Sequence, residues 1–132
     1  MPSLTATPRK ESEILRAILG YLALVPGVVA WRQNTGAMYG VHKGKRWAVR
    51  FGPRGAADIT GWRTLSCYVA LEGGFEVDPR PIAQRLEIEI KRPGAKLRPE
   101  QEAFLSQARK AGALAFVASS VADVQKVLPT PS

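Results

Sequence analysis

Apolar and polar positions follow two different rhythms along the chain, and the changes of rhythm mark its elements. In ESEILRAILGYLAL, Ile14, Leu15, Ile18, Leu19 and Leu22 recur at spacings of three and four, which lines one face of a helix. Thr7 followed by Pro8 predicts the start of that helix, with proline at the first helical position. Pro26-Gly27 ends it. VVAWR (28–32) is β-branched and aromatic and predicts a strand. QNTGAMYGVHKGK is Gly-rich and polar and predicts a loop. RWAVRF (46–51) alternates, GPRGAA turns, and DITGW (58–62) predicts a third, short strand. SCYVAL fits another strand, and GGFEVDPRP carries heavy turn chemistry. LEIEIK (86–91) alternates strictly. A basic loop, RPGAKLRP, separates it from the helix EQEAFLSQARKAG, with Pro99 near its start and Gly112 just past its end. ALAFVAS (113–119) is a nearly continuous apolar run and predicts a buried strand. Ser120 is placed to cap a last short helix over VADVQKVL, and both chain ends read as loose tails.

The order is helix, several strands, helix, strand, helix. LEIEIK, a helix and ALAFVAS together form a βαβ crossover, so those two strands should be parallel. The expected fold is α/β, a mixed central sheet flanked by helices. With 132 residues, 45% of them hydrophobic, the chain is one domain's worth and needs no staples to fold.

Charge sharpens this picture. Nineteen Lys and Arg face eleven Asp and Glu, for a net charge of +8, which points to an anionic partner. One cysteine, Cys67, excludes an intramolecular disulfide and a cysteine zinc cluster; it reads as a small buried apolar residue. One histidine, His42, excludes a two-histidine site. No apolar run reaches the ~18 residues of a membrane span, and MPSLTATPRKESE lacks the apolar core of a signal peptide. A cytoplasmic location and no membrane partner are therefore expected.

Candidate chemistry gathers around Glu89 and Lys91. Residues two apart on a strand share a face, so these two point one way while Leu86, Ile88 and Ile90 point the other. The strand opens a βαβ unit, whose carboxyl end commonly carries a site. A second acid, Asp58, opens the third strand. Between Glu13 and Asp58 there is no acid at all, while Arg32, Lys43, Lys45, Arg46, Arg50 and Arg54 fall in that stretch. An isolated carboxylate in basic surroundings suits a divalent ion and a phosphate. Glu87 shares the Glu89 face and reads as structural or solvated. Trp31, Trp47 and Trp62 read as core aromatics. Trp62, Tyr68 and Phe75 are apolar candidates for either core or a dimer surface.

Five stretches in this order, ESEILRAILGYL, WRQNTGA, GPRGAADITGW, LEIEIKRPGAKLRPEQEAFL and AGALAFVASSVADV, resemble the virus-type replication-repair nuclease (VRR-NUC) domain of the PD-(D/E)XK superfamily. The resemblance covers roughly residues 9–127. It implies a restriction-endonuclease-like fold and a Mg²⁺- or Mn²⁺-dependent endonuclease acting on DNA. Asp58 and Glu89 match its metal-binding carboxylates, with the Ile90 carbonyl as a backbone ligand. Lys91 matches the catalytic lysine and Gln101 the supporting glutamine. Glu11 best matches the helical glutamate because it lies three residues before Ile14, on the core-facing stripe; Glu13 is the alternative. Arg32, Asn34, Lys43, Lys45, Arg46, Lys96 and Arg98 are the candidates for DNA contact, with Thr35 and Gly36 beside Asn34 facing substrate or making a plain Asx turn. Two departures stand out. Ala57 replaces the proline that often precedes the first Asp, and the distance from Asp58 to Glu89 is long. An inserted loop or hairpin over about 66–85 accounts for the length, with Glu72, Glu76 and Asp78 on its surface. Stand-alone members of the family resemble Holliday-junction resolvases, homodimers that cut branched DNA, and a phage, prophage or bacterial source fits. Cleavage of flaps, nicks or plain duplex, or DNA binding without catalysis, are the alternatives.

Overall fold

The computed structural model describes residues 9–34, 36–70 and 77–131, with the backbone alone for 67–70 and 77–79. It begins with α1 (Glu11–Leu22), followed by β1 (Val28–Arg32). A hairpin of β2 (Gly36–His42) and β3 (Lys45–Phe51) comes next, then the long strands β4 (Ile59–Ala70) and β5 (Val77–Ile90). The chain finishes with α2 (Pro99–Lys110), β6 (Leu114–Ala118) and α3 (Val121–Val127). Strands β1, β4, β5 and β6 form one sheet in the order β1-β4-β5-β6. β1 and β5 run antiparallel to β4, and β6 runs parallel to β5, as its crossover through α2 requires. The fold is therefore α/β, a mixed sheet flanked by helices.

Alternation along β5 sorts its two faces. Leu86, Ile88 and Ile90 point into one core with Ile59, Ala118, the α1 stripe of Ile14, Ile18 and Leu22, and Val124 and Leu128 from the C-terminal end. Full burial of each Ile, Leu or Val side chain among them contributes roughly 1.5–3 kcal/mol. Tyr21 donates its hydroxyl to the Leu128 carbonyl (2.6 Å), fastening α1 to the end of the chain. The opposite face of β5 carries Glu87 and Glu89 under α2, where a smaller core of Ala57, Leu105 and Ala115 forms. Ser120 accepts from the Asp123 amide at the start of α3, as its position predicts.

Several expectations are corrected. The helix predicted from Pro8 begins at Glu11: Lys10 has extended backbone, and its carbonyl accepts the first helical bond, from Ile14. Pro8 itself lies outside the described residues. The stretch predicted as a loop after β1 contains β2, because Lys43 and Gly44, both at positive φ, make a two-residue turn that closes a hairpin. The third strand is long rather than short. β4 and β5 continue in register through the predicted insertion as far as Ala70 and Val77, so it is an elongated hairpin. Residues 71–76, with Glu72, Phe75 and Glu76, lie outside the described residues, as do the side chains of Cys67, Tyr68 and Asp78. β6 is only partly buried because it is an edge strand. The tryptophans are not core: Trp31 is 47% exposed, Trp47 41% and Trp62 39%. Trp31 and Trp62 meet edge to face, 5.7 Å between ring centres, on the face of β1 and β4 turned away from α1.

Candidate active site

Four strand ends meet at one edge of the sheet. Register places Arg32 opposite Ile59 and Ile59 opposite Ile88, and pairs Ile90 with Ala118. The carboxyl end of β5 therefore lies beside the entrance of β4, where Asp58 stands. Asp58 is held at both ends. Its carbonyl accepts from the Gln33 amide (2.8 Å), and its Oδ2 accepts from the Ile90 amide (2.8 Å). The second bond extends the β4–β5 ladder by one step and directs the carboxylate towards the backbone of Ile90. Ala57, just before it, is fully buried.

Glu89 is 2% exposed. Its Oε1 accepts from Gln101 Nε2 (2.8 Å), and the Gln101 amide is oriented in turn by the Arg98 backbone N–H, which donates to Oε1 (2.9 Å). Glu89 Oε2 is buried and has no hydrogen-bond partner. Lys91 Nζ lies 3.9 Å from Glu89 Oε1, and its amide donates to the Ala118 carbonyl, which keeps it in strand geometry at the very end of β5. Burial first, and then the negative Asp58 beside it, push the Glu89 carboxyl up to about 8; Lys91 opposes the shift and Glu11 adds to it. A buried carboxyl group with an open oxygen, facing a second carboxylate, is an arrangement that a divalent cation would relieve.

Glu11 is exposed in the first turn of α1 rather than packed on the core stripe. It nevertheless reaches the site: with Ser12, Leu15, Arg32, Asp58 and Ile90 it lines a cleft of about 150 Å³. Glu13 does not line that cleft. Among the described residues, no group of three or more His, Cys, Asp or Glu side chains could hold a metal ion. Two carboxylates with backbone and water oxygens are what Mg²⁺ commonly takes.

The remaining candidates spread outwards. Asn34 lines a groove with Gly36, Ala37, Met38 and Phe51; Thr35 lies outside the described residues. Lys43 is at the hairpin turn, while Lys45 and Arg46 fall on opposite faces of the hairpin because they are neighbours on β3. Lys96 is exposed on the loop before α2. Arg98 lines a second cleft with Arg50 and Arg54, two arginines that the sequence reading left unassigned. Glu87, read as structural or solvated, is structural: it is fully buried and accepts from Thr60 Oγ1 (3.0 Å) and from Arg85. Thr60 was missed because only the register between β4 and β5 brings it opposite Glu87. Among the described residues no helix is long and apolar enough to cross a membrane. No protein-family model, curated protein or solved structure matches this chain.

Proposed function

We propose that this chain is a divalent-metal-dependent DNA endonuclease of the PD-(D/E)XK kind, similar to the VRR-NUC domain, working as a homodimer on branched DNA such as a four-way junction. One observation carries the reading. Asp58 and the partnerless Oε2 of buried Glu89 converge beside Lys91, at the carboxyl end of the strand that opens the βαβ unit. The residues present fit Mg²⁺ or Mn²⁺: Asp58 and Glu89 would hold it, with the Ile90 carbonyl beside them. Such an ion supplies an acidified water and offsets negative charge on the phosphorane.

The chain's own groups divide the remaining work. Lys91, reaching past Glu89 from the strand end, orients the attacking water and stabilises the charge that develops on the phosphate. Gln101 fixes the Glu89 carboxyl through one hydrogen bond, donated to Oε1, and leaves Oε2 without a partner. Glu11 sits at the mouth and accepts a proton or a hydrogen bond from water entering the cleft. Arg32, which lines the same cleft, would meet a phosphate.

The test is cleavage of labelled four-way junction, flap and plain duplex with Mg²⁺, Mn²⁺ or EDTA. Asp58→Ala and Glu89→Ala proteins run alongside. The expected result is paired, symmetric cutting of the junction, lost in EDTA and in both variants while DNA binding persists. Tight binding with no metal-dependent cutting of any substrate would overturn the enzyme in favour of a binding module.

A further inference from the structure

The β2–β3 hairpin is a separate two-stranded sheet, and none of its side chains joins either core. Every residue of β3 is exposed. Its register sorts the side chains. Met38, Val49, Trp47 and Phe51 share one face, and the other carries Tyr39, Arg46 and Arg50. Tyr39 is 76% exposed and lies between the two arginines in register, with Arg46 one step towards the tip and Arg50 one step towards the base. At the base, Arg50 also lines a cleft of about 290 Å³ with Arg54, Arg98, Gly52, Gly55 and Glu100. Arg98 is balanced by Glu100, at 3.7 Å. Among the described residues Arg46, Arg50 and Arg54 make no ion pair, so their charges face solvent in a stretch that contains no acid.

The cleft is joined rigidly to the carboxylate site. Gly55, at φ +75°, lies so close to α2 that a Cβ there would sit 2.1 Å from the Glu100 carbonyl oxygen. The next residue, Gln101, donates to Glu89. Consecutive residues in the first turn of α2 therefore connect the arginine cleft to the groups proposed to act on a phosphodiester.

We infer that Arg46, Arg50 and Arg54 form a phosphate track. They hold the backbone of a DNA duplex along the Tyr39 face of the hairpin and lead it through the cleft to the carboxylate site. This rests on the nuclease reading for the identity of the polyanion. Spaced, unpaired arginines on an exposed ribbon neutralise successive phosphates, and a two-stranded ribbon is narrow enough to follow a duplex groove. Arg54 and Arg50 act at the cleft, and Arg46 holds the duplex farther out.

Salt dependence of binding measures the track without any catalysis. A fluorescein-labelled duplex of roughly 20 base pairs is titrated with the full chain in EDTA, by anisotropy, from about 50 to 300 mM KCl. Each phosphate neutralised contributes about 0.9 to the slope of log K against log salt. Arg50→Ala/Arg54→Ala should therefore reduce that slope by about 2 and weaken binding about tenfold or more near 100 mM salt. Arg50→Lys/Arg54→Lys should keep the slope, and Lys110→Ala, at the far end of α2, should match the wild type. An unchanged slope in the alanine pair, or an equal loss in the lysine pair, would overturn the track. The two readings fail separately. A wild-type chain that never cuts DNA but shows the arginine-dependent slope defeats the nuclease and keeps the track. A chain that cuts with an unaltered slope in the alanine pair does the reverse.

Discussion

At the scale of single residues the site turns on one buried carboxyl group. Glu89 ordinarily would titrate near 4.5, and burial beside Asp58 pushes it up to about 8. Between these values the folded, metal-free chain keeps a proton that the unfolded chain has released. The unfolded state thus binds fewer protons there, and stability falls as pH rises. The contribution is complete below pH 4.5 and gone above about 8. The melting temperature in EDTA should drop from pH 5 to pH 8, and Glu89→Gln should flatten that drop. A wild-type melting temperature that is level across this window would contradict it. A divalent ion held by Glu89, as proposed, would displace the same proton, so its affinity should climb by about tenfold per pH unit up to the Glu89 value. Lys91 tests a different property. Lys91→Ala should still bind Mn²⁺ by calorimetry, yet cut about a hundredfold more slowly or worse. Equal loss of metal binding and cutting would show that Lys91 holds the site together rather than acting on the water.

At the scale of elements, legibility followed pattern strength. β1 was readable because VVAWR joins two β-branched valines to an aromatic residue, and α2 because Pro99 and Gly112 bracket it. The Glu89–Lys91 face could be assigned because strand alternation is strict in LEIEIK. β2 was not readable: its glycines, Gly36 and Gly40, dilute strand character, and the cue that closes the hairpin is the Lys43-Gly44 turn. Gly40 is small for a reason, since a Cβ there would lie 2.2 Å from the Trp47 ring, which packs across the ribbon. The tryptophans misled for a related reason. A sequence shows that a strand has an aromatic face, but not whether a helix covers it, and 12-residue α2 packs chiefly on β6 and β5. Gly55 offers the direct test of how the turn before β4 meets α2. Gly55→Ala places a methyl group against the backbone of Glu100 and forces positive φ on a residue with a Cβ. The conformational penalty alone is about 1–2 kcal/mol. The melting temperature should fall by about 5 °C or more, and cutting should suffer beyond the stability loss because Gln101 moves with α2. A melting curve identical to wild type would mean the contact yields freely.

At the scale of the whole molecule, two surface properties oppose each other. The chain carries net charge +8, yet it exposes an apolar strip on the uncovered end of the sheet, where Val29 (46% exposed) neighbours Trp31 and Trp62. A junction nuclease needs two sites for two scissile strands, and a C2 pair supplies them by symmetry. If that strip is where two copies meet, association works against the mutual repulsion of two basic chains, and added salt screens the repulsion. The proposed DNA binding would run the other way, because salt competes for the phosphates. Sedimentation without DNA should therefore show self-association strengthening from about 50 to 300 mM KCl, over the range where affinity for duplex declines. Trp31→Arg/Trp62→Arg should be monomeric at every salt concentration. With its two carboxylates intact it should then nick one strand of a four-way junction rather than make paired cuts. Paired cuts from a protein that sediments as a monomer would place the two-fold contact elsewhere on the molecule. A wild-type chain that stays monomeric at high salt would leave each carboxylate pair to act alone, and the expected products on a junction would become single nicks.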